Sequence, residues 1–148
     1  MRRISVQEAD FDATSELAAL SAGAGGVASF LGVVRGEVDG RALAALRLEH
    51  YPGMTEKALN RLAATAEARW DLTGCTIIHR VGRLAPAQNI VLVAAASRHR
   101  ADALAATAFL IDQLKISGPF WKAEEFADGS VEWVAARDSD HAAAQAWP

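Results

Sequence analysis

"GVASFLGVVRGEVDGRALAALRLEH", Gly26 to His50, is the stretch whose reading decides the fold class. It places two apolar, extended-looking runs, "GVASFLGVVR" and "ALAALRLEH", on either side of "GEVDG". Asp and Gly accept the positive φ that a tight hairpin turn demands, so Asp39-Gly40 predicts a β-hairpin. A chain that returns this soon makes antiparallel neighbours; a parallel pair would need a long crossover instead. Upstream, the alternation in "RRISVQ" predicts a short strand. Asp12 or Thr14 can cap a brief helix through "SELAALSA", and "GAGG" at 23–26 ends it. Downstream, "YPGMTEKALNRLAATAEARW" predicts a long helix with Thr55 as N-cap and Leu59, Leu62, Ala66 and Trp70 along one apolar stripe. Glu49, His50 and Tyr51 just before it suit either a polar network or the cap of that helix.

"CTIIHRVGRL" and "NIVLVAAASRH" then read as strands joined by a turn through Pro86 and Asn89. A second long helix is expected from about Ala101 to Ile116, stopped by Gly118-Pro119. The tail offers a strand in "FWKAEEF", a turn at Asp128-Gly129, a strand in "SVEWVAA" and a last helix capped by Ser139. The order βα-ββ-α-ββ-α-ββ-α holds more hairpins than crossovers. It predicts α+β, a largely antiparallel sheet with packed helices, and not a doubly wound fold.

At 148 residues, 51% hydrophobic and 22% charged, the chain suits one compact domain, residues 1–148, with a core of its own. No apolar run reaches the roughly 18 residues of a membrane span, and "MRRISVQEAD" does not read as a signal peptide. A formal charge of −3 with a pI near 5.8 argues against a nucleic-acid binder. Cys75 is the single cysteine, so no internal disulfide can form, and a cytoplasmic location is expected. His50, His79, His99 and His141 lack metal-ligand spacing, and one thiol cannot complete a thiolate zinc site, so no metal is expected. His79 and Cys75 read as structural residues of a buried strand. No phosphate loop, dinucleotide fingerprint or G-x-S-x-G occurs.

Several cations sit where elements end. On a helical wheel Leu104, Ala108, Ile111 and Lys115 fall within about 60° of one another, which puts Lys115 on the apolar stripe. Two readings follow. A lysine in a last turn complements the helix dipole and lets its stem snorkel out. An amine held against apolar surface beside another cation instead loses affinity for its proton and becomes a base or nucleophile. Lys122, beyond the rigid bend in "LKISGPFWK", is that neighbouring cation. Arg35 ends an apolar strand in "GVVRGE", and "SRHRAD" sets His99 and Arg100 where a strand meets a helix N-terminus. Each stretch alone suits a solvated turn. Together they suggest an anion pocket at one edge of the sheet.

Taken in order, "FLGVVRGE", "LRLEHYPGMTEKAL", "EARW", "IIHRVGRL", "SRHRADA", "IDQLK", "PFWKAEE" and "DGSVEWV" resemble the large, catalytic subunit of molybdopterin synthase, from about Gly25 to Trp147. The resemblance implies an α/β hammerhead-like fold and a sulfurtransferase that converts cyclic pyranopterin monophosphate to molybdopterin. It implies no cofactor, because sulfur arrives as a thiocarboxylate on the C-terminal Gly-Gly tail of a small ubiquitin-like partner. It also implies a homodimer of large subunits within a heterotetramer. Lys115 and Lys122 match the family's catalytic lysines. Substrate contacts are implied for Val33, Val34 and Arg35, for Ala123 and Glu124 after Lys122, for Arg137, and for Phe30 as pocket wall. His99 and Arg100 match a pair that in this family can reach the neighbouring protomer's pocket. "APAQNI" departs from the pattern by lacking a glycine and an acidic residue, a matter of turn geometry and not of chemistry.

Overall fold

The computed structural model describes residues 1–148. In chain order the elements are β1 (Arg2–Gln7), α1 (Ala13–Leu20), β2 (Gly26–Val33), β3 (Glu37–Val38), β4 (Arg41–His50), α2 (Met54–Arg69), β5 (Gly74–Arg80), β6 (Gly82–Leu84), β7 (Asn89–Ser97), α3 (Arg100–Ser117), β8 (Phe120–Phe126), β9 (Val131–Val134) and α4 (Asp138–Gln145). They form two sheets. The first runs β1-β5-β7-β2, and the second β3-β4-β8-β9 with β6 also paired to β4. Every pairing is antiparallel except β1 with β5. The class is α+β, and no helix is long and apolar enough to cross a membrane.

Apolar residues on both faces explain the first sheet. All of β5 is buried, which is why it reads as a continuous apolar run and not as an alternation. Cys75 and Ile77 of β5 with Val91 and Val93 of β7 meet Leu59, Ala63 and Ala66 of α2 and Phe109, Leu110 and Leu114 of α3. Ala94 and Ala96 face the other way and receive Leu20 of α1. The second sheet has its own core of Val34, Leu43, Leu46, Leu48, Leu84 and Phe126, and Ile90 packs against both cores. The α2 stripe is as the periodicity predicts, with Leu59 and Ala66 fully buried. Asp12 caps α1 by accepting the Ser15 N–H.

Four local expectations change. The Asp39-Gly40 turn exists, with φ of 51° and 76°, but it closes only β3 against Arg41 and Ala42. The two long runs do not pair with each other: β2 pairs with β7, and β4 with β8. The cause is Val34, whose N–H donates to Gln88 O (2.9 Å) and whose carbonyl accepts from Ala87 N–H (2.9 Å). Those bonds tie the end of β2 to the loop before β7. Second, "CTIIHRVGRL" is not one strand. It leaves the first sheet after Arg80 and joins β4 of the second sheet as β6. Third, Thr55 does not cap α2: Gly53 holds that position, and its N–H donates to the Glu56 carboxylate. Fourth, α4 begins at Asp138 with Arg137 as N-cap, two residues earlier than a cap at Ser139 would place it.

Candidate active site

The two sheets and the C-terminal half of α3 enclose a cavity of about 720 Å³. That is the size range of small-molecule sites. One wall comes from the end of β2 and the residues after it, Phe30 to Arg35. The opposite wall is Lys122 and Glu124 of β8, and the rim is the β9–α4 link with Arg137 and Asp140. Lys115 enters from the last turn of α3. Of the positions singled out in the sequence, Phe30, Val33, Val34, Arg35, Lys115, Lys122, Glu124 and Arg137 all line this one space.

Local structure explains the convergence. Along β8, Phe120, Lys122 and Glu124 alternate toward the cavity while Trp121 and Ala123 point to the other face. Ala123 therefore does not line the cavity: it is fully buried against Arg47 and Trp133 of the neighbouring strands. The bend between α3 and β8 returns the chain so that Lys115 and Lys122 share the space. A Cβ at Gly118 would lie 2.9 Å from Leu114 O and 3.0 Å from the Phe120 ring, so only glycine fits. Thr55 holds the bend from outside. Its fully buried hydroxyl donates to Pro119 O (3.3 Å) and accepts the Tyr51 N–H (3.1 Å). At the rim, Gln113 donates to Ala144 O (3.0 Å) and Trp147 Nε1 donates to Asp112 (2.8 Å), fixing α4 on α3. The edge-on contacts of Trp147 with Trp70 and Phe109 complete that anchor.

Lys115 is not on the inward face of α3, as the wheel suggested. Ala103, Ala106, Thr107, Phe109, Leu110 and Leu114 pack inward, while Leu104, Ala108 and Lys115 are exposed. The inward face mixes the small Ala103, Ala106 and Thr107 with Phe109, Leu110 and Leu114, and the alanines among them add little to an apolarity count. The amine instead reaches the cavity from the helix end.

Four of the nine Lys and Arg side chains that have no carboxylate partner line the cavity. Arg2, Arg3, Arg41, Arg47, Arg80 and Arg83 all have carboxylate partners, but Arg35, Lys115, Lys122 and Arg137 have none within 4.0 Å. Four unpaired cations thus face Glu124 and Asp140 across one space. Burial lowers the Lys122 pKa, and Lys115 and Arg137 add to the effect while Glu124 and Asp140 oppose it. A site of this kind is short of anionic charge, which a phosphate-bearing guest supplies.

His99 and Arg100 lie elsewhere. They stand at the N-terminus of α3, roughly 22 Å along the helix from Lys115 at 1.5 Å per residue. Two ionisable cavity residues were not singled out for the site from sequence: His79, read as a structural residue of a buried strand, and Asp140. His79 occupies the same place in β5 that Arg35 occupies after β2, a polar residue ending an apolar run, and that signal was available. Asp140 had none, because its placement depends on how α4 docks. No group of three or more His, Cys, Asp or Glu gathers as metal ligands.

The family model described as "MoaE protein" matches residues 5–117. The molybdopterin synthase catalytic subunit of Ralstonia nicotianae is 53% identical over 150 residues, covering 99% of this chain and 85% of the relative. Among solved structures, the molybdopterin biosynthesis MoaE protein of Burkholderia ambifaria superposes with a TM-score of 0.83 at 47% identity, covering 99% of this chain and 98% of that one. The complex of subunits 1 and 2 of molybdopterin-converting factor from Helicobacter pylori has the same fold, with a TM-score of 0.68 at 20% identity over 93% of this chain and 90% of that one.

Proposed function

The chain belongs to the MoaE family, that of the catalytic subunits of molybdopterin synthase, and from that premise we propose that its cavity converts cyclic pyranopterin monophosphate to molybdopterin with sulfur from a partner's C-terminal thiocarboxylate. The carrying observation is the gathering of Arg35, Lys115, Lys122 and Arg137, all without carboxylate partners, around one cavity of substrate size. Arg35 on its wall and Arg137 on the rim hold the phosphate between them, with the backbone of Val33 and Val34 beside it. Glu124 meets the hydrogen-bond donors of the pterin, and Phe30 closes the wall against its ring. Ala123, facing away, supports β8 and does not touch substrate.

Each sulfur transfer forms a carbon–sulfur bond to the pterin as one of its oxygen substituents leaves, and breaks the acyl carbon–sulfur bond of the tail, whose carbon takes oxygen from water and departs as a carboxylate. Lys115, exposed at the helix end, engages the acyl carbon of the incoming tail. Lys122, half-buried, faces the negative charge that develops on the substrate, where water exclusion makes that attraction stronger. The reading needs no resident metal or cofactor and places the chain in the cytoplasm.

A second copy completes the site. β2 is an edge strand with Phe30, Leu31 and Val33 40%, 43% and 49% exposed, and Leu104 of α3 beside it is 62% exposed. It begins near Ser97 and Arg100 and ends at the cavity. Antiparallel pairing of β2 with its copy about a two-fold axis exchanges those ends. The span of an eight-residue strand, about 25 Å, matches the length of α3 and carries the copy's His99 and Arg100 to the cavity mouth. The small ubiquitin-like partner then binds at each end of this homodimer, its Gly-Gly tail in the cavity, giving a heterotetramer. The test is incubation of the purified chain with thiocarboxylated partner and pterin precursor. Precursor consumption with dithiolene formation is expected; no consumption overturns the reading.

A further inference from the structure

His79 is the one imidazole that lines the cavity, and the roles above leave it idle. Its Nδ1 lies 2.8 Å from Arg80 O. A carbonyl oxygen only accepts, so Nδ1 carries the ring proton and Nε2 keeps a bare lone pair. The ring stacks on Phe120 with centroids 3.8 Å apart and planes at 18°. Flipping the ring would put Cδ2 in place of Nδ1 and forfeit the hydrogen bond to Arg80 O, while the stack on Phe120 holds the ring plane. The residue is 8% exposed, and that opening is toward the cavity holding Lys115. Nε2 makes no hydrogen bond within the chain.

The cavity's cations are pure donors, and its other side-chain acceptors, Glu124 and Asp140, are carboxyl groups. A carboxylate on Lys115 would hold it as a charged ion pair and oppose its use as an amine. A neutral, fixed acceptor orients it without that penalty. We propose that His79 is a positioning residue for Lys115: the two line one cavity without a hydrogen bond in the structure, and rotation of the flexible Lys115 side chain brings an N–H onto Nε2, which then aims the amine into the cavity. This rests on the reading of Lys115 as the reacting amine. Burial keeps the imidazole neutral, pushing its pKa down to about 4, and the Lys115 charge acts on it in the same direction.

His79→Phe keeps an aromatic ring on Phe120 and removes the acceptor, while His79→Gln returns an oxygen near the place of Nε2. In the complex with thiocarboxylated partner, His79→Phe should lower kcat roughly ten- to hundredfold, the range for losing a hydrogen bond to a charged group, with KM for the pterin unchanged. His79→Gln should recover part of that loss. An unaltered kcat in His79→Phe, or a defect confined to KM, overturns the proposal. A second measurement needs neither partner nor turnover. In the resting chain labelled with imidazole 15N, Lys115→Met should move the His79 Nε2 resonance and leave Nδ1 in place. An unmoved Nε2 resonance refutes the contact even in an active enzyme. Inactivity of the wild-type complex refutes the assigned function separately, with the resonance still deciding whether His79 holds Lys115.

Discussion

Acidifying the protein from pH 7 to pH 5 should cost about 2 kcal/mol of stability through His79 alone. In the folded chain its pKa is about 4 against an ordinary value of 6.5, mainly because burial penalises the imidazolium; the hydrogen bond to Arg80 O opposes this, and the neighbouring Lys115 and His50 add to it. The unfolded chain therefore binds a proton from about pH 6.5 downward, and the native chain only near pH 4. Between those values the unfolded state holds more protons, so stability falls as pH falls. The loss approaches about 1.4 kcal/mol per pH unit and levels at roughly 3 kcal/mol once both states are protonated. Urea unfolding at pH 7, 6 and 5 measures it. Asp10, Glu67, Glu125 and Asp128, whose pKa values are lowered, lose their contributions as pH falls from the ordinary carboxylate range to their lower native values, mostly beneath the window used for His79. His79→Phe removes the titrating group, so its stability should be nearly flat over pH 7 to 5. Equal pH slopes in the two proteins would refute the buried, neutral imidazole.

Thr55→Val keeps the shape of a fully buried side chain but strips the hydroxyl that joins Tyr51 to Pro119; urea titration should read a loss of about 1–3 kcal/mol, and activity should fall as the bend between the lysines loosens. Ala87 has a φ of 70°, a conformation costly to any side chain, so Ala87→Gly should raise stability by about 0.5–1 kcal/mol and Tm accordingly, with activity unchanged. Mixing Lys115→Ala protein with a His99→Ala/Arg100→Ala protein should restore about a quarter of wild-type turnover after subunit exchange. Only mixed dimers, half of the population, rebuild one of their two sites. Recovery of no activity from fully exchanged subunits would count against sharing of the site between copies.

Helices and the antiparallel character of the sheets were legible because they are local: the α2 stripe, the Gly118-Pro119 stop and the Asp39-Gly40 turn each announce themselves within a few residues. Strand partnership was not. Nothing in "GVASFLGVVR" says that its neighbour is β7 and not the strand just beyond the hairpin turn, because that choice is made by Val34 bonding to Ala87 and Gln88 far along the chain. The same non-locality hid the sheet change within "HRVGRL". Alanine misled the wheel on α3, where the buried face of Ala103, Ala106, Phe109, Leu110 and Leu114 is offset from the stripe of Leu104, Ala108 and Lys115 that the wheel favoured. Cavity cations were legible as charges at element ends. Ala123 was named for its neighbours, and strand alternation turns it away from them. The turn at "APAQNI" marks a point where the missing glycine has a visible consequence, a strained Ala87.

The account depends most on the amine of Lys115 reaching the sulfur-bearing tail inside the cavity. Mass spectrometry of the pterin after incubation with excess thiocarboxylated partner tests this directly, comparing wild type with Lys115→Ala protein that still folds and still binds the partner. Wild type should yield pterin carrying two added sulfurs, and Lys115→Ala essentially none. Two sulfurs added by Lys115→Ala at the wild-type rate would contradict the account.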